Sequence, residues 1–290
     1  MIDYKSIAGL NSGLSSQSVD ETASVARDLG VGPEILVLGL YFAPFIIVAL
    51  ILVIKWIPHQ RIQNQLKRAV KKPLQADSIR WLEDNVPFYS NLSVKEKIRF
   101  RKRVSWFIVY KNFILKNGLV LTELTKVKIA ASAIQLTFGY NNVKLHHFND
   151  IIVYPDKFKS PFTKKMTFGE VNPVGAIVLS MKELEKGYAI KDDGINLGLH
   201  ELSHVLLLEH KNKRANYAFI KEKDLNKLYN FSLEVNKKEK RVGGLYNKYA
   251  FSNFHEFFAK TIELFFEKGS ELKELYPDVY HVTGKILNLE

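Results

Sequence analysis

The sequence predicts an α+β fold, mostly helical with a small sheet, preceded by one transmembrane helix. Three observations carry that prediction. Residues 35–54, ILVLGLYFAPFIIVALILVI, form a twenty-residue run without a charge. Downstream, five stretches have helix length and apolar periodicity or caps. Between them, only two short apolar runs beside Pro or Gly have the length of strands. Composition agrees, since 47% hydrophobic and 25% charged residues exclude a chain disordered throughout.

Taken in order, residues 1–34 are acidic, and 8–32 are rich in Ser, Gly and small polar residues, as in an unstructured tail. The run at 35–54 would span roughly 30 Å as a helix, the thickness of a bilayer's hydrocarbon core. Pro44 and Gly39 are tolerated in membrane helices, and Trp56 suits the interface that follows. A buried core helix is the alternative, disfavoured by an apolar face all the way round at this length. A cleaved signal peptide is disfavoured by the long acidic head and by the lack of a small-residue site after Ile54. We therefore place a transmembrane helix at 35–57. Six Lys or Arg and no acid lie between 55 and 72, against two basic residues before the span, which puts the C-terminal side in the cytoplasm. Residues 58–76 read as a basic linker on anionic headgroups, leaving 1–34 as the extracytoplasmic tail and 77–290 as the main domain.

Within that domain Ser93 and Glu96 form a capping-box pattern that opens a helix to about residue 112. Residues 126–138 form an Ala-rich second helix stopped by Gly139. Residues 151–154 and 176–179 read as strands. Residues 196–208, 215–235 and 253–268 read as helices, with 237–244 a loop. The strand near 176–180 offers an edge to an extended peptide.

The net charge of +12, from 42 Lys and Arg against 30 Asp and Glu, raises the question of nucleic acid. Half of that excess lies just after the apolar span, so no nucleic-acid partner is expected and membrane lipid is. The run KEKIRFRKR at 95–103 is read as a solvated or headgroup-facing surface. The chain has no Cys. Any metal must then be held by His, Asp or Glu.

His200-Glu201-Leu202-Ser203-His204 is an HExxH motif. On a helix the two imidazoles share one face and can grip one zinc ion, with Glu201 placed to accept a proton from water. Leu199, Leu202, Val205, Leu206 and Leu207 make the helix a buried one, where unpaired histidines would be costly. A third protein ligand is required. His210 is rejected, because no Gly turns the chain back and a continuing helix carries it away. Glu256, His255 and Glu263 remain, all on the apolar helix at 253–268. Asp192-Asp193-Gly194 is a turn leading into the motif, with Asp193 a weaker candidate for orienting the site. His146-His147 reads as loop decoration.

These residues resemble the Mlc titration factor A zinc peptidases, distantly related to the anthrax lethal factor catalytic domain. The resemblance runs over most of residues 80–285 through LSVKEKIRFRKRV, KIAASAIQLTFGY, IIVYPDKF, GAIVLS, DDGINLGLHELSH and YAFSNFHEFFAKTIELFFE. It implies a zincin-type domain in which His200, His204 and Glu256 bind zinc, Glu201 is the general base, and Tyr249 stabilises the oxyanion. Val205-Leu206-Leu207 departs from the Leu-Asp that many members carry there. The resemblance implies a zinc metallopeptidase acting on peptides or proteins; joined to the anchor and orientation read from hydropathy and charge, it gives a membrane-anchored enzyme at the bacterial inner membrane with its catalytic domain in the cytoplasm. The alternative is a tethered zinc-fold module that binds a regulatory protein and hydrolyses little.

Overall fold

The structure, a computed structural model, describes residues 63–141, 143–160, 163–172, 174–211, 219–242 and 244–290, together with Phe42, Phe45, Ile47 and Val48. The chain divides into two units, Met1–Gln65 and Leu66–Glu290. In the first, those four residues are helical with exposed side chains. The remainder of the transmembrane helix expected at 35–57, and the tail at 1–34, lie outside the described residues. Among the described residues no helix is long and apolar enough to cross a membrane.

In the second unit, 66–71 of the expected linker are helical. Helix α1 (Ala76–Asn85) starts within a residue of the expected domain boundary, and Pro87 opens the short α2 (Pro87–Ser90). Helix α3 (Val94–Tyr110) begins with the capping box: the Ser93 hydroxyl accepts from the Glu96 amide, and the Ser93 amide donates to Glu96 Oε2 at 3.0 Å. The chain then enters strand β1 (Asn112–Leu115), so the residues expected at the end of the first helix in fact open the sheet. Helix α4 (Glu123–Thr137) is capped by Thr122, whose hydroxyl accepts from the Thr125 amide at 3.0 Å.

Strand β2 (Asp150–Tyr154), a two-residue pair β3 (Phe158–Lys159) and β4 (Met166–Thr167), β5 (Gly169–Asn172) and β6 (Ala176–Ser180) follow. The four-stranded sheet has the order β1-β2-β6-β5, with the first two pairings parallel and β5 antiparallel to β6. Ile151 stands opposite Ile177 and Val153 opposite Leu179, and all four side chains are buried. This order corrects one expectation. The strand at 176–180 is hydrogen-bonded on both sides, and the edge belongs to β5.

Helix α5 (Met181–Ala189) leads to α6 (Leu197–Lys211), which carries the HExxH motif. Asn196 caps it, its Oδ1 accepting from the Leu199 amide at 3.1 Å. Helix α7 (Glu222–Val242) runs through the expected loop at 237–242, because Lys-Lys-Glu-Lys-Arg are good helix formers and nothing breaks the helix before the glycines at 243–244. Its N-terminal residues from 222 match part of the helix expected from 215, whereas 212–218 lie outside the described residues. A 3₁₀ turn (Lys248–Phe251), α8 (Phe254–Glu267), α9 (Gly269–Leu275) and α10 (Pro277–Ile286) complete the chain.

Helix α6 is the hub. Leu199, Leu202, Val205, Leu206 and Leu207 are all buried, and the helix packs on α4, α5, α8, β5 and β6. An apolar surface all round is what a helix enclosed on every side requires. Gly198 is needed at the α4 crossing, where a Cβ would overlap the Ser132 hydroxyl.

Candidate metal centre

Helix α6 presents His200 and His204 on one face, four residues apart, with ring centroids 4.9 Å apart and planes at 88°. Helix α8 brings Glu256 against them. Its Oε2 lies 3.1 Å from His200 Nε2 and its Oε1 3.5 Å from His204 Nε2. One donor atom from each of the three residues falls within 4.8 Å of the others, so the group can hold a metal ion. Tetrahedral zinc with nitrogen and oxygen ligands at about 2.0–2.1 Å needs donors about 3.3 Å apart, and two imidazoles with one carboxylate are a known catalytic set. The residues fit. Glu256 is placed by its own helix start, because Asn253 caps α8 by accepting from the Glu256 amide at 3.1 Å.

The titration of these groups follows their surroundings. Burial opposes charge on His200, but the Glu256 and Glu263 carboxylates outweigh it and hold the ring up at about 10. His204, pressed by burial and by the His200 charge, falls to about 4 and keeps a free lone pair. Burial raises the Glu256 carboxyl, but the two histidines and the Tyr249 hydroxyl prevail and it sits below the usual carboxylate value. Glu201, also buried, rises to about 7, because desolvation and the charges of Glu256, Glu170 and Glu263 outweigh the attraction of His200. Gly169 on β5 makes room for it, since a Cβ there would overlap the Glu201 carboxylate.

Among the three candidates for the third ligand, only Glu256 joins the histidine pair. His255, next to it, accepts from Lys211 Nζ at 3.2 Å and lines the cleft mouth. Glu263 takes a different position. It lies behind the site, where its Oε1 accepts from His200 Nδ1 at 2.5 Å. Fixing the proton on Nδ1 leaves Nε2 facing the site. Lys260 Nζ holds the other Glu263 oxygen at 3.1 Å and is itself bound to the Gly194 carbonyl. The Asp192-Asp193-Gly194 turn thus acts on the site through a backbone carbonyl. Asp193 caps its own turn, accepting from the Ile195 amide at 2.8 Å. His210 stays on α6, buried and facing Glu222 at 3.1 Å, outside the cluster. The amides of His146 and His147 both donate to the buried Glu209 carboxylate, so that loop is tied to the same helix.

Glu263→Gln keeps the shape of that outer contact and removes its charge. It is expected to weaken zinc affinity about 10–100-fold, read by competition against a chromophoric chelator, and to lower the metal-free melting temperature, because the buried Lys260 loses its carboxylate partner.

Tyr249 sits on the 3₁₀ turn, mostly exposed, its hydroxyl hydrogen-bonded to Glu256; burial and that negative charge raise its pKa. A cleft of about 560 Å³ joins Tyr249, the histidines and Glu256 to Gly169, Glu170 and Val171 of the edge strand β5. A second hollow of about 260 Å³, bordered by Phe168, Lys186, Ile195 and Leu197, meets the first at His200 and Glu201. The arrangement is a two-sided groove with the donor cluster at its centre and, along one wall, the outer edge of β5, which has no strand partner among the described residues.

Comparison with known proteins places this geometry. Over 247 residues the chain is 27% identical to an uncharacterised protein of Synechocystis sp., covering 77% of this chain and 88% of that one. Over 232 residues it is 26% identical to Mlc titration factor A of Yersinia pestis and of Yersinia pseudotuberculosis, covering 72% of this chain and 84% of each of those. The profile of the glucose-regulated metallo-peptidase M90 family matches residues 59–286, which include all of the donor cluster and the groove. The chain belongs to the glucose-regulated metallo-peptidase M90 family.

Proposed function

We propose that the protein is a membrane-anchored, zinc-dependent metallopeptidase that hydrolyses peptide bonds in peptides or proteins. The observation that carries this reading is the convergence of His200, His204 and Glu256 beside the buried Glu201 in a groove walled by β5, whose outer edge has no strand partner among the described residues. Those three residues would hold the metal. When bound, zinc supplies a Lewis acid that makes water acidic near neutral pH. Glu201 accepts the proton of the attacking water and hands it to the leaving amine. Its raised affinity for a proton, from burial among carboxylates, suits it to both steps. Tyr249, held at the mouth by Glu256, donates its hydroxyl to the oxygen on which negative charge develops. The free edge of β5 pairs with the backbone of an extended substrate and so presents it across the cluster.

The anchor belongs to the same proposal. It is supported by the uncharged run at 35–54 and by the six basic residues that follow, which favour a cytoplasmic catalytic domain at a bacterial inner membrane. The name of the Yersinia relatives, Mlc titration factor A, points to the second reading, a tethered zinc-fold module that binds a regulatory protein.

The test is metal analysis of the purified full chain together with digestion of a peptide library. One equivalent of zinc is expected, with cleavage abolished by 1,10-phenanthroline and restored by added zinc. Cleavage that survives full removal of metal would sink the proposal, and bound zinc without turnover would select the second reading.

A further inference from the structure

A separate cavity of about 230 Å³ lies between α3 and α4 and the loop that follows α4. It shares no lining residue with the two hollows at the metal centre. Its walls are apolar, from Trp106, Phe107, Ile134 and Val143, and its charged lining residues are Lys102, Arg103 and Lys144. No acid lines it, and among the described residues none of these three cations forms an ion pair.

Arg103 is the informative member. It belongs to the basic run that the sequence suggested was a solvated surface, yet it is half-buried and turned inward. Its Nη1 donates to the carbonyls of Phe138 and Tyr140 at 3.1 and 3.0 Å, and its Nη2 donates to the Thr137 hydroxyl at 2.8 Å. These acceptors are neutral. They take three bonds from a group with five donors and leave its charge uncompensated. Burial, then the neighbouring Arg99, lower its pKa to about 10, as expected of a cation lacking an anion. Lys144 Nζ, 5.3 Å from the centre of the Trp106 ring, adds a second positive group.

We propose that this cavity binds a free single-chain alkyl carboxylate, with its head beside Arg103 and Lys144 and its chain against Trp106, Phe107, Ile134 and Val143. The charge asks for an anion, and charge-assisted bonds to guanidinium favour a carboxylate. The walls ask for hydrocarbon. A volume of about 230 Å³ suits one short alkyl chain rather than a two-chain lipid. A peptide terminus is less suited, because its amides would be left unpaired against the apolar walls.

The probe is radiolabelled octanoate in equilibrium dialysis against the full chain in phosphatidylcholine nanodiscs, with empty nanodiscs as background. One saturable site is expected, with octan-1-ol at least tenfold weaker and octylammonium failing to compete. Lys102→Glu combined with Lys144→Glu reverses two charges at the lining and leaves the Arg103 bonds untouched. It is expected to weaken octanoate at least tenfold without changing the melting temperature. Arg103→Met should also weaken octanoate, and it should lower the melting temperature because its bonds to Thr137, Phe138 and Tyr140 are lost; Ala133→Leu, at a lining position, should block binding. Equal affinity for octanoate and octan-1-ol, or unchanged binding in all these variants, would overturn the proposal. So would displacement of octanoate by phosphatidylglycerol vesicles, or by a short peptide with a free apolar C-terminus at lower concentration.

Discussion

Replacing Glu201 with Gln is expected to lower kcat/KM for peptide hydrolysis by about 10²–10⁴-fold while leaving one equivalent of zinc bound. The substitution conserves volume in a site where volume matters, because the Gly169 backbone lies directly against this side chain. It removes only the ability to take up a proton. Glu201 is not one of the three convergent donors, so metal content should not follow activity. Loss of the carboxylate also removes a buried acid whose protonation is favoured by Glu256, Glu170 and Glu263, so the variant should be no less stable than the parent. The informative result is therefore a dissociation of three readouts: turnover lost, zinc retained, melting temperature kept. Parent and variant hydrolysing at equal rates would remove Glu201 from the chemistry.

How far the sequence anticipates this site depends on how local each signal is. The HExxH helix is legible because its whole argument lies within fifteen residues: two histidines one turn apart, apolar neighbours on every side, and an Asn in front. Choosing among His255, Glu256 and Glu263 is not a local problem. All three sit on one helix, and only the approach of α8 to α6 decides which atom reaches the pair. Glu263 shows what was missed. It lies seven residues after Glu256 and hence on nearly the same face, which places one acid in front of His200 and the other behind it. Two acids at that spacing on a strongly apolar helix are a readable sign of such a pair.

The sheet was less legible than the helices. Strand β6 is nearly all apolar and stands out, whereas its partner β5, Gly-Glu-Val-Asn, has one apolar side chain and no alternation to follow. An exposed edge has less to bury, so its pattern is weak even though it forms the groove wall. Strand β1 lies just past the helix expected to end near residue 112, and its apolar part, Phe113–Leu115, is a three-residue run between Lys111-Asn112 and Lys116-Asn117, too short to stand out as a strand. The basic run at 95–103 also changed meaning. Arg99 donates to the Phe138 carbonyl, Arg101 Nη1 to the Tyr89 hydroxyl at 2.7 Å, and Arg103 to two carbonyls, so these charges hold α3 to its neighbours. Charge counted along a chain does not say which way it points.

Glu256→Gln is expected to release the metal, with an affinity loss exceeding the 10–100-fold that an outer partner such as Glu263 contributes. Two features make this the sharpest test of the ligand set. The first is charge: Glu256 is the only anion among the three donors, and without it two imidazoles must hold a divalent ion. The second is that the metal-free fold should tolerate the change, because the Asn253 cap bonds to the backbone of residue 256 and not to its side chain. Metal that binds only the folded state stabilises it by about 2.7 kcal/mol at a hundredfold excess over Kd. Added zinc should accordingly raise the melting temperature of the parent and leave that of Glu256→Gln unmoved. His255→Ala supplies the control. His255 is the adjacent residue, faces Lys211, and stacks at 6.3 Å from the His204 ring, so a general disturbance of the start of α8 would appear there as well. It should keep both zinc and the thermal shift. Zinc lost in His255→Ala but kept in Glu256→Gln would exchange their roles and move the third ligand to the imidazole.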